Sequence, residues 1–169
     1  MKKNLVLLGM MGVGKTTIAK MVAKKQNLNF IDTDQNVQNE NLMSIYEIFE
    51  KKGESFFRKE EEKEVLKSLK KTNCIIALGG GAFINKTVRE NILNNAISIW
   101  LDLDVETLNS RIKQNYKRPL LKKDNNQEKL RELYDERKKI YQLANHKIDC
   151  AELNKDDICK KVIEIYEQH

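Results

Sequence analysis

Gly9-Met-Met-Gly-Val-Gly14-Lys15-Thr16 spells G-x-x-x-x-G-K-[ST], a spacing that suits the phosphates of a nucleoside triphosphate. Glycines let the backbone fold into a nest of N–H donors, and a helix opening behind them adds partial positive charge. Lys15 reaches the β- and γ-phosphates, and the Thr16 hydroxyl is a ligand for Mg²⁺. A second group of oxygens stands at Asp32-Thr33-Asp34. Asp32 faces the metal; Asp34, two residues on, shares its pleat face and can accept a hydroxyl proton. Ordinary turn and capping work is the other reading of both aspartates.

Of the 31 cationic residues only Arg58, Arg89, Arg111, Arg118, Arg131 and Arg137 are arginine. Lysine is the default surface charge here, so an arginine points to a need for its planar fork. Arg58 falls on the 58, 62, 65, 69 stripe with Val65 and Leu69, and Arg137 sits within the apolar face made by Leu130, Leu133, Tyr134, Ile140 and Tyr141. A guanidinium in such a face needs an anionic partner or a polar cleft. A structural ion pair satisfies it; both arginines in one site suit a carboxylate held bidentately. Leu78-Gly79-Gly80-Gly81-Ala82 ends an apolar run, which means a tight turn or the close approach of another molecule to the backbone.

The elements that must carry these groups follow from the apolar pattern. Strand-length runs occur at Leu5–Leu8, Phe30–Ile31, Cys74–Leu78, Ile97–Leu101 and around Ile148. Helical patterns lie at Lys15–Asn27, Ser44–Lys52, Ser55–Lys71, Thr87–Asn94, Val105–Gln114, Gln127–Ala144 and Lys155–Gln168. Strands alternating with helices predict an α/β fold, a parallel sheet with helices on both faces. The chain of 169 residues reads as one domain, with no repeat and no low-complexity tract. Its one unusual loop is Lys113–Asn126, basic and holding the lone Pro119.

Composition excludes several classes. A net charge of +6 is spread over lysines interleaved with glutamates, the pattern of a solvated surface rather than a nucleic-acid face. No apolar run approaches the roughly 20 residues of a membrane span. Lys2-Lys3 before Leu5–Val13 imitates a signal peptide, but Gly9, Gly12, Gly14 and Lys15 break the run. Cys74, Cys150 and Cys159 form no C-x-x-C pair, which fits a reducing cytoplasm. A GTP switch needs N-K-x-D, and Asn85-Lys-Thr-Val88 ends in Val. An ATPase motor would use an apolar strand ending in Asp; Ile97–Leu101 before Asp102 fits that, but strand-end and N-cap work by Asp102 and Asp104 is the favoured reading. A small-molecule kinase remains.

Taken in order, Gly9–Thr17, Asp32-Thr-Asp34, Phe57-Arg58 with Glu61, Gly79-Gly-Gly81, Arg111 with Arg118-Pro-Leu-Leu121, and Tyr134 with Arg137 and Tyr141 make the chain resemble the shikimate kinases over nearly its whole length. The resemblance implies a P-loop NTPase of nucleoside-monophosphate-kinase-like fold, with a five-stranded parallel sheet in the order 2-3-1-4-5. It implies a substrate-binding region about 33–61, a lid about 112–125, and transfer of the ATP γ-phosphoryl group to shikimate, in aromatic amino-acid biosynthesis. It places ATP on Gly12, Val13, Gly14, Lys15, Thr16 and Thr17, with Arg111 flanking adenine and Arg118 meeting the phosphates. One Mg²⁺ per subunit falls to Thr16 and Asp32. The shikimate hydroxyls fall to Asp34 and the Gly80 backbone, and its carboxylate to Arg58 and Arg137. Lys15, Asp34 and Arg118 are the expected catalytic groups. A cytoplasmic monomer without nucleic-acid or membrane partners is expected. Gluconate kinase, or another small-metabolite kinase of the same fold, is the nearest alternative, and an ATP-binding regulator a remote one. The family often has a proline in the loop after the last strand; this chain reads Cys150-Ala-Glu-Leu-Asn-Lys155 there, and its lid is unusually lysine-rich.

Overall fold

The computed structural model describes residues 3–112 and 126–169. Five parallel strands form one sheet: β1 (Asn4–Leu8), β2 (Asn29–Asp32), β3 (Cys74–Ala77), β4 (Ala96–Asp102) and β5 (His146–Asp149), in the order β2-β3-β1-β4-β5. That is the order the resemblance implied. Leu5 pairs with Ile75 on one side and Ile97 on the other, so β1 lies at the centre. The central strands are apolar throughout because helices cover both faces: every residue of β1 and β3 is buried, as is all of β4 except Asp102.

Eight helices are described: α1 (Lys15–Gln26), α2 (Thr33–Asn41), α3 (Ile45–Lys52), α4 (Glu54–Leu69), α5 (Lys86–Asn95), α6 (Val105–Ile112), α7 (Asn126–Tyr141) and α8 (Lys155–Glu167). One of them, α2, has no counterpart in the apolar pattern. Its sequence TDQNVQNEN buries only Thr33 and Val37. Asn and Gln side chains carry no stripe, and Asn is a weak helix former. What starts α2 is a cap: the Asp32 side chain accepts from the Gln35 N–H at 3.1 Å. No described helix is long and apolar enough to cross a membrane.

The main core runs through the sheet. A smaller second cluster joins Val37 of α2, Ile48 of α3 and Phe57 of α4, with Met43, Ile45, Phe49 and Phe56 packed around it. Polar ties reinforce it: Glu64 accepts from Asn36 at 2.6 Å and from Ser68 at 2.8 Å, and Lys67 pairs with Glu40. This cluster sets where α2 and α4 stand over the C-terminal edge of β2 and β3.

Ile48 is fully buried there. Ile48→Ala is expected to lower the free energy of urea unfolding by about 2–5 kcal/mol, a buried aliphatic truncation. A loss under about 1 kcal/mol would show that the cluster collapses around the gap and does not fix α2 and α4.

Candidate active site

All the chemistry-bearing segments leave the sheet at its carboxyl edge, where open α/β sheets bind ligands. The phosphate loop follows β1, Asp32 ends β2, and the glycines follow β3. They line a cleft of ≈ 620 Å³ together with α3 and α4.

On the nucleotide side, Gly14 is the N-cap of α1, with no side-chain cap and no acidic residue in the first turn. The first N–H groups of α1 are thus left for an anion. Lys15 is buried and donates to the Gly9 and Met10 carbonyls at 2.8 and 3.0 Å, holding its ammonium over the loop. Gly12, Gly14, Lys15, Thr16 and Thr17 face the cleft. Val13 does not; its side chain is in the core and its carbonyl accepts from Arg111 Nη1 at 3.2 Å. Arg111 itself lies outside the cleft lining.

Thr16 Oγ1 donates to Asp32 Oδ2 at 2.6 Å. A hydroxyl and a carboxylate, both on the cleft wall, are the hard oxygen donors Mg²⁺ accepts when phosphates and water supply the rest. The donor set therefore fits the expected metal.

Asp34 reaches the cleft by a different route from the pleat argument. β2 ends at Asp32, and Asp34 lies in the first turn of α2. Both aspartates face the cleft because a strand end and a helix start meet there. Asp32 does capping and lines the cleft at once, so the two readings of that residue are compatible.

On the acceptor side, the buried face of α4 is Phe57, Glu61, Glu64, Val65 and Ser68. Arg58 therefore stands at the edge of that face, on the side of α4 it shares with Glu62, Val65 and Leu69, and Glu62 accepts from Asn85 at 2.6 Å. Arg58 Nη1 donates to Glu61 at 2.8 Å and Nη2 to Glu54 at 3.3 Å. Burial alone would lower its pKa, but Glu61 and then Glu54 raise it above the ordinary guanidinium value. Burial pushes the Glu61 carboxyl up, against the pull of Arg58 and Arg137.

Arg137 is 6% exposed. It keeps the place in the α7 face that the pattern assigned it, between Leu130, Leu133 and Tyr141, all buried. Its Nη1 has no hydrogen-bond partner among the described residues, and Arg137 lines the cleft with Arg58 and Glu61. An unmatched buried guanidinium nitrogen beside a cleft fits an anionic ligand.

The triglycine makes room for all of this. A Cβ on Gly79 would stand 2.3 Å from Asp34 Oδ1 and 2.8 Å from Glu61 Oε1, and one on Gly81 would stand 2.4 Å from Arg58 Nη1. The close approach is therefore by the chain's own functional side chains. Glu61, read only as part of a motif, is the group that ties them; its i, i+3 spacing from Arg58 was the available signal.

Asp102 accepts from the Tyr134 hydroxyl at 3.0 Å and pairs with Lys147 at 2.9 Å, while Asp104 accepts from the Thr107 N–H at 2.7 Å. These are the strand-end and capping roles, and neither residue lines the cleft. Arg118 and all of the lid beyond Ile112 lie outside the described residues.

A phosphate loop on β1, oxygens for a metal on β2, and a cationic acceptor wall on α4 and α7, over a 2-3-1-4-5 sheet, define an ATP-dependent small-molecule kinase of nucleoside-monophosphate-kinase-like fold. The family model described as shikimate kinase matches residues 11–167. The shikimate kinase of Bacillus subtilis (strain 168) is 40% identical over 165 residues, covering 96% of this chain and 88% of that one. That of Thermoanaerobacter pseudethanolicus is 38% identical over 164 residues, covering 97% and 96%. A shikimate kinase from Acinetobacter baumannii, solved in complex with shikimate, superposes with a TM-score of 0.95 at 30% identity, covering 99% and 94%. A gluconokinase from Sinorhizobium meliloti reaches a TM-score of 0.61 at 10% identity, a likeness of fold alone. The chain belongs to the shikimate kinase family.

Gly81→Ala places a methyl group against the far end of a flexible side chain, so the fold should tolerate it while Arg58 is displaced. The acceptor KM should rise roughly tenfold or more, the loss of a charged hydrogen bond, with the ATP KM unchanged. An unchanged acceptor KM would show that Arg58 is not needed where it stands.

Proposed function

We propose that this chain transfers the γ-phosphoryl group of ATP to the 3-hydroxyl of shikimate, giving shikimate 3-phosphate and ADP. The observation that carries the reading is the meeting of Arg58 and Arg137, from separate helices, at the triglycine turn, with Asp34 beside them. Two guanidinium groups in one cleft suit a carboxylated acceptor. A hydroxyl held beside Asp34 has a proton acceptor within the same wall.

Phosphoryl transfer needs alignment and charge neutralisation more than covalent chemistry. The α1 N-terminus and Lys15 hold the phosphates. Thr16 and Asp32 would hold one Mg²⁺, which supplies further neutralisation of phosphate charge when bound. Gly12, Val13, Gly14 and Thr17 contribute to the ATP cradle, Val13 through its backbone. Arg58 and Arg137 orient the ring through its carboxylate, and the Gly80 backbone with Asp34 orients its hydroxyls. Arg111 is assigned to the adenine side and Arg118 to the transferring phosphate, both from the family motif.

The test is ADP release with ATP-Mg²⁺ and a panel of shikimate, quinate and gluconate. Shikimate should have the highest kcat/KM; a higher value for gluconate would overturn the reading. In the same assay Asp34→Asn should lower kcat by roughly 10²–10⁴-fold, the usual loss of a general base, with little change in shikimate Kd. An unchanged kcat would leave Asp34 as a positioning group only.

A further inference from the structure

Tyr141 lies one helical turn beyond Arg137 on α7 and is fully buried. Its hydroxyl donates to the Gly80 carbonyl. The same oxygen stands 3.9 Å from Met10 Sδ, and its ring packs against Trp100 with centroids 5.9 Å apart. Arg137 Nη1 lies against the same glycine, about 3.3 Å from where a Gly80 Cβ would stand. One side chain thus touches the phosphate loop and the triglycine turn on which the acceptor arginine rests.

None of the roles assigned above uses this group. We propose that Tyr141 is a positioning residue for the acceptor carboxylate: its hydroxyl fixes the Gly80–Gly81 peptide, against which the Arg137 guanidinium stands. The inference rests on the acceptor reading of Arg137 given under Proposed function.

The geometry argues it in two parts. A trans peptide points its N–H opposite to its C=O. Holding the Gly80 oxygen toward Tyr141 therefore turns the Gly81 N–H away from the packed interior, on a turn whose Gly80 and Gly81 line the cleft. Arg137 Nη1, without a hydrogen-bond partner among the described residues, lies about 3.3 Å from where a Gly80 Cβ would stand. That nitrogen has a hydrogen bond to give an incoming anion. A phenol whose pKa burial pushes up to about 12 stays a donor across the working pH range. Phenylalanine would fill the same space and could not hold the Gly80 carbonyl.

Tyr141→Phe keeps the ring and removes one oxygen. Calorimetry on the chain should show shikimate Kd raised roughly tenfold and ATP Kd unchanged. In a double-mutant cycle with Arg137→Lys, the second substitution should add less than its own single loss, because the Gly80–Gly81 peptide and Arg137 adjoin and hold one carboxylate. Unchanged shikimate Kd in Tyr141→Phe, with Arg137→Lys still weakened, overturns the positioning role and leaves the acceptor reading standing. Equal losses for shikimate and ATP, or full additivity in the cycle, overturn it in favour of general packing. No shikimate binding by the unsubstituted chain removes the acceptor reading itself.

Discussion

A guanidinium taken out of water costs several kcal/mol unless charge and hydrogen bonds meet it, and Arg137 is 6% exposed within an apolar helix face. The acceptor half of the molecule is arranged around that constraint. Glu61, itself buried, is the counter-charge shared with Arg58, and its carboxyl is pushed up by burial despite both arginines. An anion entering the cleft would add the hydrogen-bond partner that Nη1 of Arg137 lacks among the described residues.

The same constraint explains the triglycine. Asp34, Glu61 and Arg58 come from α2 and α4, and their tips end where Cβ atoms of residues 79 and 81 would be. The turn after β3 is a floor on which side chains from two helices rest. The small apolar cluster of Val37, Ile48 and Phe57 then determines how those helices sit. Apolar packing on α2, α3 and α4 is linked in this way to the placement of charged tips some distance away.

Much of this was legible in the sequence, and the parts that were not share a cause. The phosphate loop, the strands and the long helices announce themselves by local pattern, as do the strand-end and capping roles of Asp102 and Asp104. Arg137 was legible because a cation in an apolar stripe breaks the pattern. Helix α2 was not, since its nine residues bury Val37 and Thr33 only and its start depends on the Asp32 cap. Arg58 with Val65 and Leu69 marks one edge of the buried face of α4, and the rest of that face is hidden in the pattern because Glu61, Glu64 and Ser68 are buried polar residues that an apolar stripe cannot reveal. The roles of Glu61 and Tyr141 arise only when α4, α7 and the triglycine turn meet in space.

The central claim is that two arginines and their buried counter-charge form a receptor for a carboxylate. Titration of the chain with shikimate, and with the same ring bearing a neutral carboxamide in place of the carboxylate, tests it most directly. Losing charge-assisted bidentate bonds should weaken binding roughly a hundredfold. Equal affinity for the two compounds would contradict the account.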